Sequence, residues 1–176
     1  SSEGWTVDIV DNLSNGYLEN LDGLSIRVLP NASFLPKFAS VENEKRQPGD
    51  ILVISDDFSH PSVLDRVRTH KYDVVFHQAA IPRVLYSVEN PGITTDVNIS
   101  GTVRLFEACK DGVGRIVFAS SSSVYGGADE MPTAETNPRN PKSPYAWQKS
   151  AIEDYSKICW NLYKLDIVNL RYFNVF

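Results

Sequence analysis

Cysteine is scarce in this chain: Cys109 and Cys159 are the only two. They are far apart, lack a Cys-x-x-Cys spacing and fall among apolar neighbours in predicted helices, which excludes a disulfide scaffold and points to reduced core thiols rather than metal ligands. No apolar run is long enough to cross a bilayer, and no basic segment followed by an apolar stretch stands at Ser1, so nothing resembles a membrane span or a secretory signal. Basic charge is also short, with 17 Lys and Arg against 22 Asp and Glu and a net charge of −5. That balance argues against non-specific nucleic-acid binding, which needs a basic face to release counterions. There is no internal repeat, low-complexity tract or linker in the 176 residues. What remains is one soluble domain, or part of one, with a cytoplasmic setting expected.

What is present is alternation. Short β-branched runs at 5–10, 25–29, 51–54, 73–76, 115–119 and 166–170 read as strands. Helical patterns lie between them at 61–70, 94–110 and 145–163, the last with Ile152, Tyr155, Ile158, Cys159 and Leu162 on one stripe. Strands alternating with helices imply right-handed βαβ crossovers and a parallel sheet. Residues 30–49 are polar and punctuated by proline, and read as an irregular insertion or a short helix.

Tyr145 and Lys149, in Ser143-Pro144-Tyr145-Ala146-Trp147-Gln148-Lys149, carry the strongest chemical signal. Residues four apart on a helix share a face, with roughly 5–6 Å between Cβ atoms, so the ammonium can sit under the phenol. A nearby positive charge favours phenolate and moves a group that ordinarily titrates near ~10 toward acid/base work at neutral pH. Ser143 is the expected N-cap and Pro144 the first helical residue, so Tyr145 occupies the first turn, where the helix dipole also favours an anion. A bare Tyr-x-x-x-Lys is in most chains an ordinary surface pair, and its context decides. That context is a strand ending in Ser120-Ser121-Ser122-Ser123. Together these residues predict a Ser/Tyr/Lys catalytic set.

The first strand ends in Val10-Asp11-Asn12-Leu13-Ser14-Asn15-Gly16. An acid at the carboxyl end of a strand in a doubly wound sheet accepts both ribose hydroxyls of an adenosine, which favours NAD over its 2′-phosphorylated counterpart. A strand-terminal Asp is also a common helix cap, and both readings stand. Asp56-Asp57-Phe58 falls where a later loop embraces adenine, or is a solvated acidic turn. His60 and His70, beside helix ends, read as surface residues.

Six segments occur in the order seen in extended short-chain dehydrogenase/reductases: Asp11 to Gly16, His77-Gln78-Ala79-Ala80, Asn98 in Val97-Asn98-Ile99-Ser100-Gly101-Thr102, Ser120 to Gly126, Pro144 to Lys149, and Leu170-Arg171-Tyr172-Phe173-Asn174-Val175-Phe176. Within that family the chain most resembles nucleotide-sugar 4-epimerases, of the kind acting on UDP-glucose or UDP-N-acetylglucosamine. The resemblance covers nearly everything except residues 30–49.

The resemblance implies a Rossmann-like, doubly wound α/β fold over residues 1–176, NAD as cofactor and a nucleotide sugar as substrate. In the family Tyr takes the proton of the sugar C4 hydroxyl while hydride passes to NAD, Lys holds the nicotinamide ribose, and Ser or Thr hydrogen-bonds the same hydroxyl. The keto-sugar then rotates and receives the hydride on its other face. Those roles carry over to Tyr145, Lys149 and Ser121, with Ser123 as an accessory hydrogen bonder. Asp11, Asn12, Asp57, Phe58, Ala79, Ala80 and Asn98 are expected along NAD, and Tyr172, Phe173 and Asn174 toward the nicotinamide or the substrate diphosphate. Asn98 and Asn174 also have a plainer reading, as amides satisfied by nearby backbone. Arg83 is either a contact to substrate phosphate or a solvent-facing arginine. Helices 94–110 and 145–163 are expected to form a two-fold homodimer interface.

The serine tract also bears on the reaction. Related dehydratases and decarboxylases carry an acid at the positions filled here by Ser122 and Ser123, because water elimination needs an additional acid/base group. Its absence favours epimerisation, although reductases of the family also lack it. The stretch from His77 to Pro91 resembles the N-acetylhexosamine branch more than the plain galactose branch. One departure is larger. The family opens with a strand and a Gly-x-x-Gly-x-x-Gly turn that holds the NAD pyrophosphate, and continues into a substrate lobe, whereas this sequence runs from Ser1 to Phe176 without either. The expectation is an incomplete Rossmann domain, from either a fragment of an epimerase or a non-catalytic remnant or assembly module.

Overall fold

A computed structural model describes residues 4–31, 47–70, 72–127 and 132–174. Most of the expected insertion at 30–49 lies outside the described residues. The chain divides into two compact units, Ser1–Arg66 and Val67–Phe176. Both are α/β with parallel sheets.

In unit 1 the strands are β1 (Val7–Val10), β2 (Ile26–Leu29) and β3 (Ile51–Ile54). They order as β1-β3-β2, with Ile9 and Val28 both opposite Val53. The central strand, Ile51-Leu52-Val53-Ile54, is apolar at every position and buried throughout, as expected for a strand flanked on both edges and covered on both faces. Helix α1 (Pro61–His70) follows, and its Val63 joins Leu29, Leu52 and Ile54 in a cluster against which Val10 packs. Arg66 turns back to Asp8, whose carboxylate accepts at 2.8 Å and is 4% exposed.

In unit 2 the strands are β4 (Val74–His77), β5 (Arg115–Ser121) and β6 (Ile167–Tyr172), in the order β4-β5-β6. The register pairs His77 with Phe118 and Ser121 with Tyr172. β5 alternates: Ile116, Phe118 and Ser120 are buried, while Val117, Ala119 and Ser121 are half-buried. Helix α2 (Val84–Glu89) and α3 (Pro91–Thr95) lead into a π-helical turn, Asp96–Gly101, and then α4 (Thr102–Cys109). A 3₁₀ turn, Ser122–Tyr125, extends β5, and α5 (Pro144–Tyr163) is the long helix.

The strand and helix expectations hold in place and type, with two corrections. The helix expected at 94–110 begins earlier, at Pro91, and is interrupted by the π turn, within which the Asn98 side chain bonds Ile81 and Gln148. On α5 the expected apolar stripe is not the buried one: Ile152 and Cys159 are buried, but Ile158 is 49% and Leu162 66% exposed. The inward face instead carries Tyr145, Lys149, Glu153 and Ser156, because this helix meets β5 and β6 through hydrogen bonds as well as apolar contact. The strands form two three-stranded parallel sheets among the described residues, in keeping with the incomplete α/β fold expected. Both cysteines are buried free thiols, and burial pushes each to a higher pKa, Cys109 to about 12.

Candidate active site

The centre of unit 2 is where β5 ends and α5 begins. Ser143 caps α5 by accepting the Ala146 N–H at 3.2 Å, and Pro144 follows in the first turn, where its missing N–H costs nothing. Tyr145 comes next, and its own backbone N–H is bound by the Ser87 hydroxyl at 3.1 Å. That bond ties the first turn of α5 to α2. One turn on, Lys149 is 3% exposed and donates to the carbonyl of Ala119 at 2.7 Å. Its Nζ stands 4.6 Å over the Phe118 ring and 5.8 Å from the Tyr145 ring centroid.

Tyr145 and Lys149 are therefore brought together as expected, but their electrostatics differ from the expectation. Burial raises the Tyr145 pKa, and a hydrogen bond with Ser121 only partly opposes that. Burial also lowers Lys149 to about 8. Both groups pay for desolvation, which disfavours phenolate and ammonium alike, and the lysine points its proton at Ala119 rather than at the phenol. Tyr145 is therefore held here as a neutral phenol.

The four serines separate by direction. Ser120 is buried and donates to Glu153 at 2.6 Å. Ser121, on the opposite face of the strand, caps the 3₁₀ turn by accepting the Ser123 N–H at 3.2 Å. The Ser123 hydroxyl donates to Ser121 at 2.9 Å, and Ser121 in turn acts on Tyr145 by opposing the rise in its pKa. Gly126 closes the turn at φ 69°, and a Cβ there would collide with the Asn140 carbonyl.

Asn98 lies at the π turn and is fully engaged by protein. Its Oδ1 accepts the Ile81 N–H at 2.8 Å, and its Nδ2 donates to the Ile81 carbonyl at 3.1 Å and to Gln148 Oε1 at 2.8 Å. It thereby clamps the backbone just after Ala79 and Ala80, which are half-buried. His77, at the end of β4, is buried beside Phe106 and Phe118 with Nε2 2.9 Å from the Thr102 hydroxyl. Burial first, and the charge of Lys149 second, hold it down to about 3. Tyr172, Phe173, Asn174 and Arg83 are exposed.

In unit 1 Asp11 is exposed at the carboxyl end of β1, with Oδ1 accepting the Leu13 N–H at 2.7 Å. Gly16 leaves room beside it: a Cβ there would stand 2.9 Å from Asp11 Oδ2. Asn12 is likewise exposed and accepts the Ser14 N–H at 3.1 Å. Asp57 receives Ser59 twice at 2.7 Å, and Phe58 is buried. The donor chemistry suits an adenosine: an exposed carboxylate at a strand end, beside a turn kept clear of side chain.

Several residues escaped the sequence reading. Gln148 is fully buried and joins Asn98 to the Thr94 and Thr95 hydroxyls at 3.0 and 3.1 Å. Glu153 and Arg171 form a bidentate pair at 2.7 and 2.9 Å. The signal for Glu153 was its place four residues beyond Lys149, which continues the Tyr145–Lys149 face by one more turn. Gln148 gave no comparable signal.

The sequence profile of the NAD dependent epimerase/dehydratase family matches residues 4–176. A UDP-glucose 4-epimerase of Mycolicibacterium smegmatis is 35% identical over 177 residues, which is 99% of this chain and 50% of that protein. Among solved structures, the UDP-N-acetylglucosamine 4-epimerase from Methanobrevibacter ruminantium, in complex with UDP-N-acetylmuramic acid, is 35% identical with a TM-score of 0.75, over 96% of this chain and 47% of that one. The Thermus thermophilus UDP-glucose 4-epimerase in complex with NAD is 32% identical with a TM-score of 0.74, over 97% of this chain and 48% of that one. The chain spans about half the length of the relatives it matches.

Proposed function

This chain belongs to the NAD dependent epimerase/dehydratase family, and from that premise we propose that it carries the acid/base half of a nucleotide-sugar 4-epimerase, acting on a UDP-hexose or UDP-N-acetylhexosamine. The observation that carries this reading is the buried Lys149, one turn from Tyr145 with its Nζ 5.8 Å from the phenol ring and bonded to the end of β5, next to the hydrogen-bonded pair Ser123–Ser121. Tyr145 receives the proton of the sugar C4 hydroxyl only as phenolate, after giving up the proton that burial favours, and Ser121 hydrogen-bonds the sugar oxygen and orients it. Ser123 braces Ser121. NAD, when bound, supplies the hydride acceptor and donor. Lys149 holds the nicotinamide ribose, and its ammonium, once drawn toward that ribose, stabilises charge on the phenol oxygen.

For the rest of NAD, the exposed Asp11 carboxylate suits the adenosine ribose, with Asn12 beside it, and Asp57 and Phe58 suit the adenine. Ala79 and Ala80 border the cofactor through backbone, and Asn98 acts by holding that backbone in place. Asn174 and Arg83 are assigned to the substrate diphosphate. Ser122 and Ser123, where an acid would serve water elimination, favour epimerisation over dehydration. The exposed Ile158, Trp160 and Leu162 on α5 support a homodimer through helices 94–110 and 145–163.

The test is calorimetric titration of NAD into the protein, followed by an assay of UDP-glucose and UDP-galactose interconversion. NAD binds, and Tyr145→Phe lowers kcat about 10²- to 10⁴-fold while leaving NAD affinity in place. Full turnover by Tyr145→Phe would remove Tyr145 from the chemistry. Absence of NAD binding would favour a non-catalytic role for this chain.

A further inference from the structure

Three successive turns of one face of α5 grip the end of β5. Tyr145 is acted on by Ser121, which opposes the rise in its pKa, Lys149 bonds the Ala119 carbonyl at 2.7 Å, and Glu153 accepts the Ser120 hydroxyl at 2.6 Å. The first two contacts belong to the acid/base site. The third has no part in the chemistry proposed above, yet it is the most heavily supported of the three.

Glu153 is 5% exposed, and a carboxylate that deep needs partners, because an unpaired buried charge costs several kcal/mol. It has them. Arg171 donates Nε–H to Oε1 at 2.9 Å and Nη2–H to Oε2 at 2.7 Å, and Arg139 lies 3.7 Å from Oε2. Burial acts to raise the carboxyl pKa, but the hydrogen bonds from Arg171 and Ser120, with the charges of Arg171 and Arg139, outweigh it and leave the group below the usual carboxylate range. The same Arg171 donates to the Tyr125 hydroxyl at 2.7 Å and to the Glu135 carbonyl at 3.2 Å. It also stands directly opposite Ser120 in the β5–β6 register. One ion pair therefore binds the end of β5, the 3₁₀ turn that follows it, and β6 just before Tyr172.

Adjacent strand residues face opposite sides of the sheet, so fixing the direction of Ser120 fixes that of Ser121. We propose that Glu153, clamped by Arg171, is a positioning residue that anchors Ser120 and thereby turns Ser121 toward Tyr145. The inference rests on the reading of Ser121 and Tyr145 as the acid/base pair. Its test does not depend on turnover.

The measurement is the ionisation of Tyr145 followed by NMR of ring-labelled tyrosine, with Tyr145→Phe assigning the signal. The variants are Glu153→Gln, Ser121→Ala, their combination, and the double variant Glu153→Met/Arg171→Met. Replacement of a buried ion pair by apolar side chains of similar volume is often neutral or stabilising, so the Met pair keeps the question answerable if Glu153→Gln does not fold. A lost hydrogen bond to the phenolate is worth about one pH unit, so each Glu153 variant lowers the phenolate fraction at fixed alkaline pH about tenfold, as Ser121→Ala does. The combined variant goes no further than Ser121→Ala alone. Simple removal of a nearby negative charge would act oppositely, favouring phenolate. An unchanged or increased phenolate fraction in a folded Glu153 variant, or an effect that adds to that of Ser121→Ala, overturns the proposal. A protein that shows the expected titration but no turnover would overturn the epimerase reading and leave this one standing.

Discussion

In unit 1 the buried residues among the described ones are apolar, Leu29, Ile51 to Ile54, Phe58, Val63 and Leu64, the Asp8 carboxylate with its Arg66 partner being the exception at side-chain level, and the polar groups of interest, Asp11 and Asn12, stand exposed at a strand end. In unit 2 the interior is shared. His77, Ser87, Thr94, Asn98, Thr102, Ser120, Gln148, Lys149, Glu153 and Ser156 are all buried beside Phe106, Phe118 and Ile152, and no buried side-chain polar atom among the described residues lacks a partner. The difference teaches where precision is needed. An apolar core tolerates small shifts, since dispersion and the hydrophobic effect are non-directional, whereas a buried hydrogen bond fails with a small misalignment. Unit 2 holds its reactive groups with directional contacts. Unit 1 offers its carboxylates from loops on an apolar base.

The strongest way to break this comparison is acid. His77 is held near 3 in the folded protein against 6.5 when free, so as the pH falls the unfolded chain takes up its proton first. Its contribution to stability is complete above pH 6.5 and is lost progressively down to pH 3, an effect on the order of 4–5 kcal/mol. His77→Gln flattens that dependence. Urea unfolding of both proteins across this pH range checks it, and equal slopes would show that His77 is not the group responsible.

Next in size is a cavity in unit 1. Ile54 is fully buried, and Ile54→Ala costs about 3 kcal/mol. Because the side chain carries no charge, the loss is the same at about pH 4 and about pH 7, read as reduced hydrogen-exchange protection of the β3 amides. A loss that varied with pH would blur the contrast between the units. The smallest effect expected is that of Gln148→Leu, about 2 kcal/mol, since the apolar replacement strands the Asn98 N–H that Gln148 accepts and removes its donation to the Thr94 and Thr95 hydroxyls. It appears as a lower urea midpoint at unchanged m-value. A neutral result would mean that water replaces the amide.

Much of this was legible in the sequence for local reasons. Ile51-Leu52-Val53-Ile54 between polar turns admits little but a buried strand, and Ser143-Pro144 announces the start of α5 by capping chemistry alone. The meeting of Tyr145 and Lys149 follows from helical spacing. Three things did not follow. The pKa direction of Tyr145 depends on burial, which spacing does not report. The inward face of α5 was misjudged because apolar periodicity marks a core only when the core is apolar, and here it also contains Lys149 and Glu153. The division of labour among the four serines was hidden because identical residues differ only in the direction the strand gives them.

The π turn at Asp96–Gly101 has a consequence for how this chain tolerates length changes. A regular α-helix advances about 100° per residue, so a one-residue insertion or deletion ordinarily swings everything beyond it to a new side. A π turn is a place where one residue more than the α ladder requires is already accommodated. Deleting a single residue there would straighten the rod without breaking the chain's continuity, yet it would rotate Asn98 away from Ile81 and Gln148, or else rotate Thr102 away from His77. The widened turn acts as a phase adjuster between two clamps that a uniform helix cannot serve together. It makes the spacing from Thr94 to Thr102 as tightly specified as the residues themselves.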